Sequence, residues 1–258
     1  MLIVISFSIK IYFGVNCMPK SKYHDIYLDL KEKIENNYFK YSEMLPVENE
    51  LIKQYECSRN TLRRAVSILV SEGHLQTMQG KGVRNIYQKL SPKAFKLDTI
   101  ESFKESARRT AKSSFNKVIL FTDVRCSANL AKRSGFMEGD ELYYIQRVHY
   151  MDGKALILNH NYFLKSSVGD LTIDIAKDSI YEYLENTIGM KIVNSKRIIT
   201  VEKVDEIDEK YLNLNLDEYN CLAVVSSFTY NSDGIMFEYT VSKHRPDCFS
   251  FCDNAVRK

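Results

Sequence analysis

The chain has 258 residues, enough for two domains of modest size, and its 45% hydrophobic and 27% charged residues give the balance of a globular protein with a proper core. Ten Gly and four Pro exclude a low-complexity or collagen-like chain, and a net charge of +3 is too small to mark a nucleic-acid binder by itself. The charge is uneven, however: residues 18–90 carry 12 Lys and Arg against 9 Asp and Glu, and residues 91–258 carry 23 against 24.

The first seventeen residues, MLIVISFSIKIYFGVNC, are apolar. No basic region precedes the run and no small-x-small cleavage site follows it, so it does not read as a signal peptide. Lys10 leaves it short of the ~20 apolar residues that span a membrane. Met18 opens an ordinary polar start, so 1–17 is expected to be an extension outside any domain, with translation beginning at Met18. The product is expected to be cytoplasmic and not membrane-bound. The six cysteines, Cys17, Cys57, Cys126, Cys221, Cys248 and Cys252, form no C-x-x-C pair and have no His at zinc-ligand spacing. They read as reduced thiols, and no metal site is expected.

From Tyr23 the apolar positions Tyr23, Ile26, Tyr27, Leu30 and Ile34 follow one face of a helix, which Asn36 and Asn37 end. Pro46 fits just ahead of a second helix over 48–55, with Leu51 and Tyr55 inward. Ser58 is a good N-cap for a third helix over 59–72, whose Leu62, Ala65, Val66 and Leu69 face a core, and Gly73 suits its left-handed end. The opposite face of this third helix carries Arg59, Asn60, Arg63 and Ser67, with Arg64 flanking. Arg pairs bidentately with guanine and Asn with adenine, which suits entry into a DNA major groove. A lone charged helix face is more often merely solvated. The next segment adds weight: two short strands over 75–78 and 83–87 flank Gly80-Lys81-Gly82, a tip at which glycine lets a backbone approach phosphate.

Residues 23–88 thereby resemble the winged helix-turn-helix of the GntR family. The resemblance rests on Leu45-Pro46-x-Glu48-x-Glu50-Leu51, Cys57-Ser58-Arg59-Asn60-Thr61-Leu62-Arg63-Arg64-Ala65 and Gln79-Gly80-Lys81-Gly82. It implies a DNA-binding domain over 18–88 that contacts double-stranded operator DNA through Asn49, Arg59, Asn60, Thr61, Arg63, Gly80, Lys81 and Gly82. The family commonly has Arg where this chain has Asn49, and Ser where it has Val47. A winged helix used only for protein contacts is the alternative.

A linker is expected over 89–96, around Ser91-Pro92, and a second domain over 97–258. Strand-like segments recur there at 116–124, 142–151, 155–163, 191–204, 221–230 and 235–245, with Asp152-Gly153 and Asp233-Gly234 as hairpin turns. Helices fit 128–133, 180–187 and 206–212. Many strands and few helices predict an α+β domain with an antiparallel sheet. Strand parity puts Arg147 and His149 on one face, and Glu238, Thr240, Ser242 and His244 on another shared face, with Arg245 opposite. Together with Ser179 at a helix start these could form an anion pocket or simply a solvated surface.

Residues 97–252 resemble the ligand-sensing UTRA domain of the HutC branch of the GntR family, whose fold is similar to chorismate lyase. The carrying stretches are Glu101-Ser102-Phe103-Lys104-Glu105, Gln146-Arg147-Val148-His149, Ser179-Ile180-Tyr181-Glu182-Tyr183-Leu184-Glu185 and Phe237 to Asp247. The resemblance implies an effector site at Ser102, Phe103, Arg147, His149, Ser179, Tyr181, Glu238 and His244, the last two toward a sugar and Ser102, Arg147, His149, Ser179 and Tyr181 toward its phosphate. Arg is common where this chain has His149, so a pH-dependent charge is expected there. The second half resembles repressors of trehalose operons. The implied function is a homodimeric repressor on an inverted-repeat operator, released by a phosphosugar, with trehalose 6-phosphate as the expected effector. No cofactor and no catalytic residue is expected. The alternatives are a regulator of amino-sugar (N-acetylglucosamine) metabolism and a lyase-fold enzyme.

Overall fold

Ile26, Leu30 and Ile34 are buried together with Leu51, Leu62, Ala65, Leu69 and Leu75, and this apolar cluster organises the N-terminal part of the chain. The computed structural model describes residues 22–88 and 100–251. The expected extension, the Met18 start and the linker over 89–96 lie outside the described residues. Contacts divide the described residues into two compact units, 22–88 and 100–251.

In the first unit three helices, α1 (Lys22–Glu35), α2 (Glu48–Tyr55) and α3 (Arg59–Ser71), precede a two-stranded ribbon of β1 (Leu75–Met78) and β2 (Gly82–Asn85). The Ser58 hydroxyl accepts the Thr61 N–H at 3.2 Å and caps α3. Gly73, at φ 74°, turns the chain out of that helix. Val47 provides no side-chain cap for α2, whose first turn instead carries Glu48 and Glu50 against the helix dipole. Strand β2 stops at Asn85, short of the expected Tyr87. Buried Asn85 turns its amide onto the Phe39 carbonyl at 2.8 Å and accepts the Tyr87 N–H, which diverts the backbone from the ladder.

The second unit is built on one antiparallel sheet of β3 (Ser114–Arg125), β4 (Glu141–Met151), β5 (Lys154–Leu164), β6 (Ile192–Lys203), β7 (Cys221–Asn231) and β8 (Met236–His244). The order across the sheet is β3-β4-β5-β8-β7-β6. Asp152 and Gly153 both take positive φ, at 50° and 78°, which gives the tight β4–β5 turn its hand. Six short helices accompany the sheet: α4 (Phe103–Arg109), α5 (Ala128–Ser134), α6 (Lys165–Val168), α7 (Ile173–Lys177), α8 (Ile180–Asn186) and α9 (Glu206–Leu212). Val168 of α6, Ala176 of α7, and Ile180 and Leu184 of α8 pack on Ile145 and Phe163. Val148, Leu158 and Val224 are covered by Leu212 and Leu214, and Leu142 and Tyr239 by Leu130 and Phe136. Helices α4, α6 and α7 are additions to the sequence reading. Helix α4 buries only Ser106 and Ala107, and α6 and α7 have four and five residues, too few to show a period. Among the described residues no helix is long and apolar enough to cross a membrane.

Candidate functional site

Two polar features stand out, one in each unit. In the first, α3 presents Arg59, Asn60, Arg63 and Ser67 to solvent. The two arginines are not free rotors. Arg63 donates from Nε and Nη2 to the two carboxylate oxygens of Glu48, at 3.1 and 3.2 Å. Arg59 pairs through Nε with the same carboxylate at 3.1 Å and donates from Nη2 to Asn49 Oδ1 at 3.4 Å. Thr61 is half-buried, its hydroxyl 2.7 Å from that of Ser58. Arg64 departs from the group: its guanidinium lies 3.9 Å from the centre of the Tyr23 ring, a cation–π contact with α1. At the ribbon tip Lys81 is exposed between Gly80 and Gly82, at φ 71° and 111°. A Cβ on Gly80 would touch nothing, so its backbone conformation, not crowding, calls for glycine there.

In the second unit a cavity of about 170 Å³ lies over one face of the sheet. It brings together all eight positions expected around an effector: Ser102 and Phe103 at α4, Arg147 and His149 on β4, Ser179 and Tyr181 at α8, and Glu238 and His244 on β8. The Ser102 and Ser179 hydroxyls accept the N–H groups of Glu105 and Glu182, capping α4 and α8, and each keeps its own proton to donate. Buried Arg147 donates from Nε to Asn161 Oδ1 at 3.1 Å and from Nη1 to the Ala176 carbonyl at 3.3 Å. Burial lowers its pKa to about 10 while the Glu238 charge opposes the shift, so Arg147 stays cationic at neutral pH.

His149 corrects an expectation. Its Nδ1–H donates to Asn116 Oδ1 at 2.6 Å, and its Nε2 accepts from Asn159 Nδ2 at 2.8 Å, a pattern that suits the neutral ring. Burial, then the charges of Arg147 and His244, hold its pKa well below 6.5. Its charge therefore does not change near neutral pH. Phe103 packs against it, ring centres 4.7 Å apart. Burial likewise lowers His244 to about 4.

Tyr181 donates to Glu238 Oε2 at 2.6 Å, and burial followed by the Glu238 charge raises its pKa well above 10. Thr240 donates to Glu238 Oε1 at 2.8 Å and accepts from Asn161 Nδ2 at 2.7 Å. A continuous chain of hydrogen bonds therefore links Arg147 through Asn161 and Thr240 to Glu238 and Tyr181. The phenol expected on the phosphate side is held by the carboxylate expected on the sugar side. Asn116, Asn159 and Asn161 were missed in the sequence, as were Ser195 and Arg197 of β6 and Ser227 and Thr229 of β7, which carry the lining toward the sheet edge. Two asparagines two apart inside the apolar strand ALILNHNYF were the available signal. Arg245, on the other side of β8 as expected, donates to the Leu212 and Asn213 carbonyls at 2.7 and 3.1 Å. Among the described residues no three His, Cys, Asp or Glu side chains are grouped to hold a metal.

Two family models match the sequence: bacterial regulatory proteins of the gntR family over residues 22–84, and the UTRA domain over residues 112–250. The chain is 33% identical over 240 residues to the HTH-type transcriptional regulator TreR of Bacillus subtilis (strain 168), covering 93% of this chain and 99% of TreR. It is 27% identical to the HTH-type transcriptional regulator GmuR of the same organism, over 92% of this chain and 100% of GmuR. The crystal structure of YydK from Bacillus subtilis subsp. subtilis str. 168 shares the fold, with a TM-score of 0.75 at 23% identity over 92% of this chain and 100% of that one. PhnF from Mycobacterium smegmatis gives 0.56 at 20% identity, over 90% and 100%.

Proposed function

The chain belongs to the GntR family of bacterial transcription regulators and carries its UTRA domain, and from that premise we propose an operator-binding repressor released by trehalose 6-phosphate. In this reading 18–88 is the DNA-binding domain, 89–96 the linker and 97–258 the effector-binding and dimerising domain, and the protein works as a cytoplasmic homodimer on an inverted repeat. Arg59, Asn60 and Arg63 face base edges, with Asn49 and Thr61 beside them, while Gly80, Lys81 and Gly82 approach the phosphates.

The single observation that carries the effector reading is Arg147, a buried cation in a cavity also lined by Lys104 and Arg197, by Glu101 and Asp178, and by Glu238, whose carboxylate is engaged by Tyr181 and Thr240. A buried charge hydrogen-bonded to one amide and one carbonyl is costly, and an arriving anion would offset that cost. Ser102 and Ser179 add hydroxyl donors for a phosphate, and Glu238 and His244 face sugar hydroxyls. Two glucose rings need length, and Ser227, Thr229, Ser195 and Arg197 supply polar lining beyond Glu238. Within the phosphosugar class, the resemblance of the second half to repressors of trehalose operons favours trehalose 6-phosphate, and the 33% identity with the regulator TreR is consistent with it.

Thermal-shift titration with trehalose 6-phosphate, trehalose, glucosamine 6-phosphate and N-acetylglucosamine 6-phosphate tests this. A ligand that binds only the folded state raises Tm with concentration. Trehalose 6-phosphate is expected to raise it most. A larger shift with an amino-sugar phosphate would move the effector assignment to amino-sugar metabolism, and no shift with any phosphosugar would remove it.

A further inference from the structure

Glu48 is a carboxylate on the face that the proposed function turns toward DNA, where it repels phosphate on every sequence. Its contacts show what it does there. One carboxylate holds two arginines that stand one helical turn apart on α3, each side chain 60% or more exposed. A free exposed Arg samples many rotamers and loses that freedom on reading a base. Glu48 takes the Nε and Nη2 edge of Arg63 in a two-point pairing, which fixes the plane of the guanidinium and leaves the Nη1 side outward. It also takes Nε of Arg59, whose Nη2 is steadied by Asn49.

Resting on the DNA-binding reading of this face, we propose that Glu48 is a positioning residue for sequence discrimination, which orients Arg59 and Arg63 for base readout and thereby gives up general affinity for DNA. Arg64, whose guanidinium lies over Tyr23, is outside this arrangement.

The test uses the full chain and a duplex enriched by wild-type protein from a random library, compared with a scrambled duplex of the same length. Glu48→Gln keeps the size of the side chain and removes its charge. It should lower the ratio of preferred to scrambled affinity about tenfold or more and tighten binding to the scrambled duplex. Glu50→Gln removes the same charge from the same first turn of α2, where among the described residues no arginine pairs with it, and should leave the ratio unchanged. Melting curves of both variants report any common effect on α2. Three results would overturn the proposal: an unchanged ratio in Glu48→Gln, a raised one, or equal losses in both variants. If wild-type protein enriches no duplex and Arg59→Ala and Arg63→Ala bind like wild type, the DNA-binding reading itself fails and this proposal with it.

Discussion

Arginine is used in opposite ways in the two units. Arg59 and Arg63 stand in water, held by a half-buried carboxylate, whereas Arg147 is buried and held by an amide and a carbonyl. Exposed ion pairs contribute about 0–1 kcal/mol, so the first arrangement does little for stability and leaves both guanidinium groups available to a partner. Burying the Arg147 cation is costly, but its hydrogen bonds offset part of that cost, and removing it would leave the buried acceptors Asn161 Oδ1 and the Ala176 carbonyl without their donor. Damage on the exposed face should therefore cost binding alone. Damage in the cavity should cost both response and stability.

Arg147→Ala tests the cavity most severely. It should abolish the response to the effector while operator binding persists, giving a repressor that does not let go. It should also cost about 1–3 kcal/mol of stability, since Asn161 Oδ1 and the Ala176 carbonyl lose their donor. Denaturant melts and an operator-release assay read the two effects, and a variant that responds normally would break the contrast.

On the exposed face, Arg59→Ala and Arg63→Ala should each weaken binding to the preferred duplex by about 1–3 kcal/mol and relax sequence preference there. Their melting temperatures should stay at the wild-type value, because surface changes away from packed features move stability by only about 0.5 kcal/mol. Loss of folding in either would show that the Glu48 cluster is structural.

Lys81→Ala should have a more uniform effect, weakening all duplexes alike and lowering the salt slope by about one, as expected for a single phosphate contact. A change of sequence preference without a change of slope would assign the wing tip to base reading instead.

The mildest effect at neutral pH concerns the buried His149 and His244 and the half-buried His160. His149, His160 and His244 all have folded pKa values below the ordinary 6.5, through burial first, the latter two at about 4. The unfolded chain thus takes up protons before the folded one. Stability from these groups is complete above pH 6.5 and falls as pH drops toward 4. Denaturation midpoints between pH 7 and 4.5 should decline, and His160→Gln, outside the cavity lining, should flatten the decline. A midpoint independent of pH across that window would show that the rings are not buried neutral.

The same contrast separates what was legible in the sequence from what was not. Helix α2 and strand β1 could be read to the residue, since each has clear periodicity or turn residues on both sides. The eight cavity positions were readable through strand parity and the family resemblance together. What escaped was relational. Helix α4 carries an S-x-x-E capping box at Ser102 and Glu105, but buries too little to show a period. The hydrogen bonds that fix the His149 ring come from Asn116 on β3 and Asn159 on β5. The Tyr181–Glu238 bond joins residues 57 apart, and the Glu48 cluster joins two helices. Spacing within one element reveals a face, while the partner that fixes a side chain comes from another element.

The most direct test of an anion-triggered release is to titrate the complex with the preferred duplex with trehalose 6-phosphate and, in parallel, with unphosphorylated trehalose, and to measure trehalose 6-phosphate binding with and without that duplex. The expected result is release by the phosphorylated sugar alone, with the duplex weakening its binding by the same factor by which it weakens duplex binding, as linkage requires. Equal release by trehalose, or binding of the phosphosugar that the duplex leaves unchanged, would contradict the account.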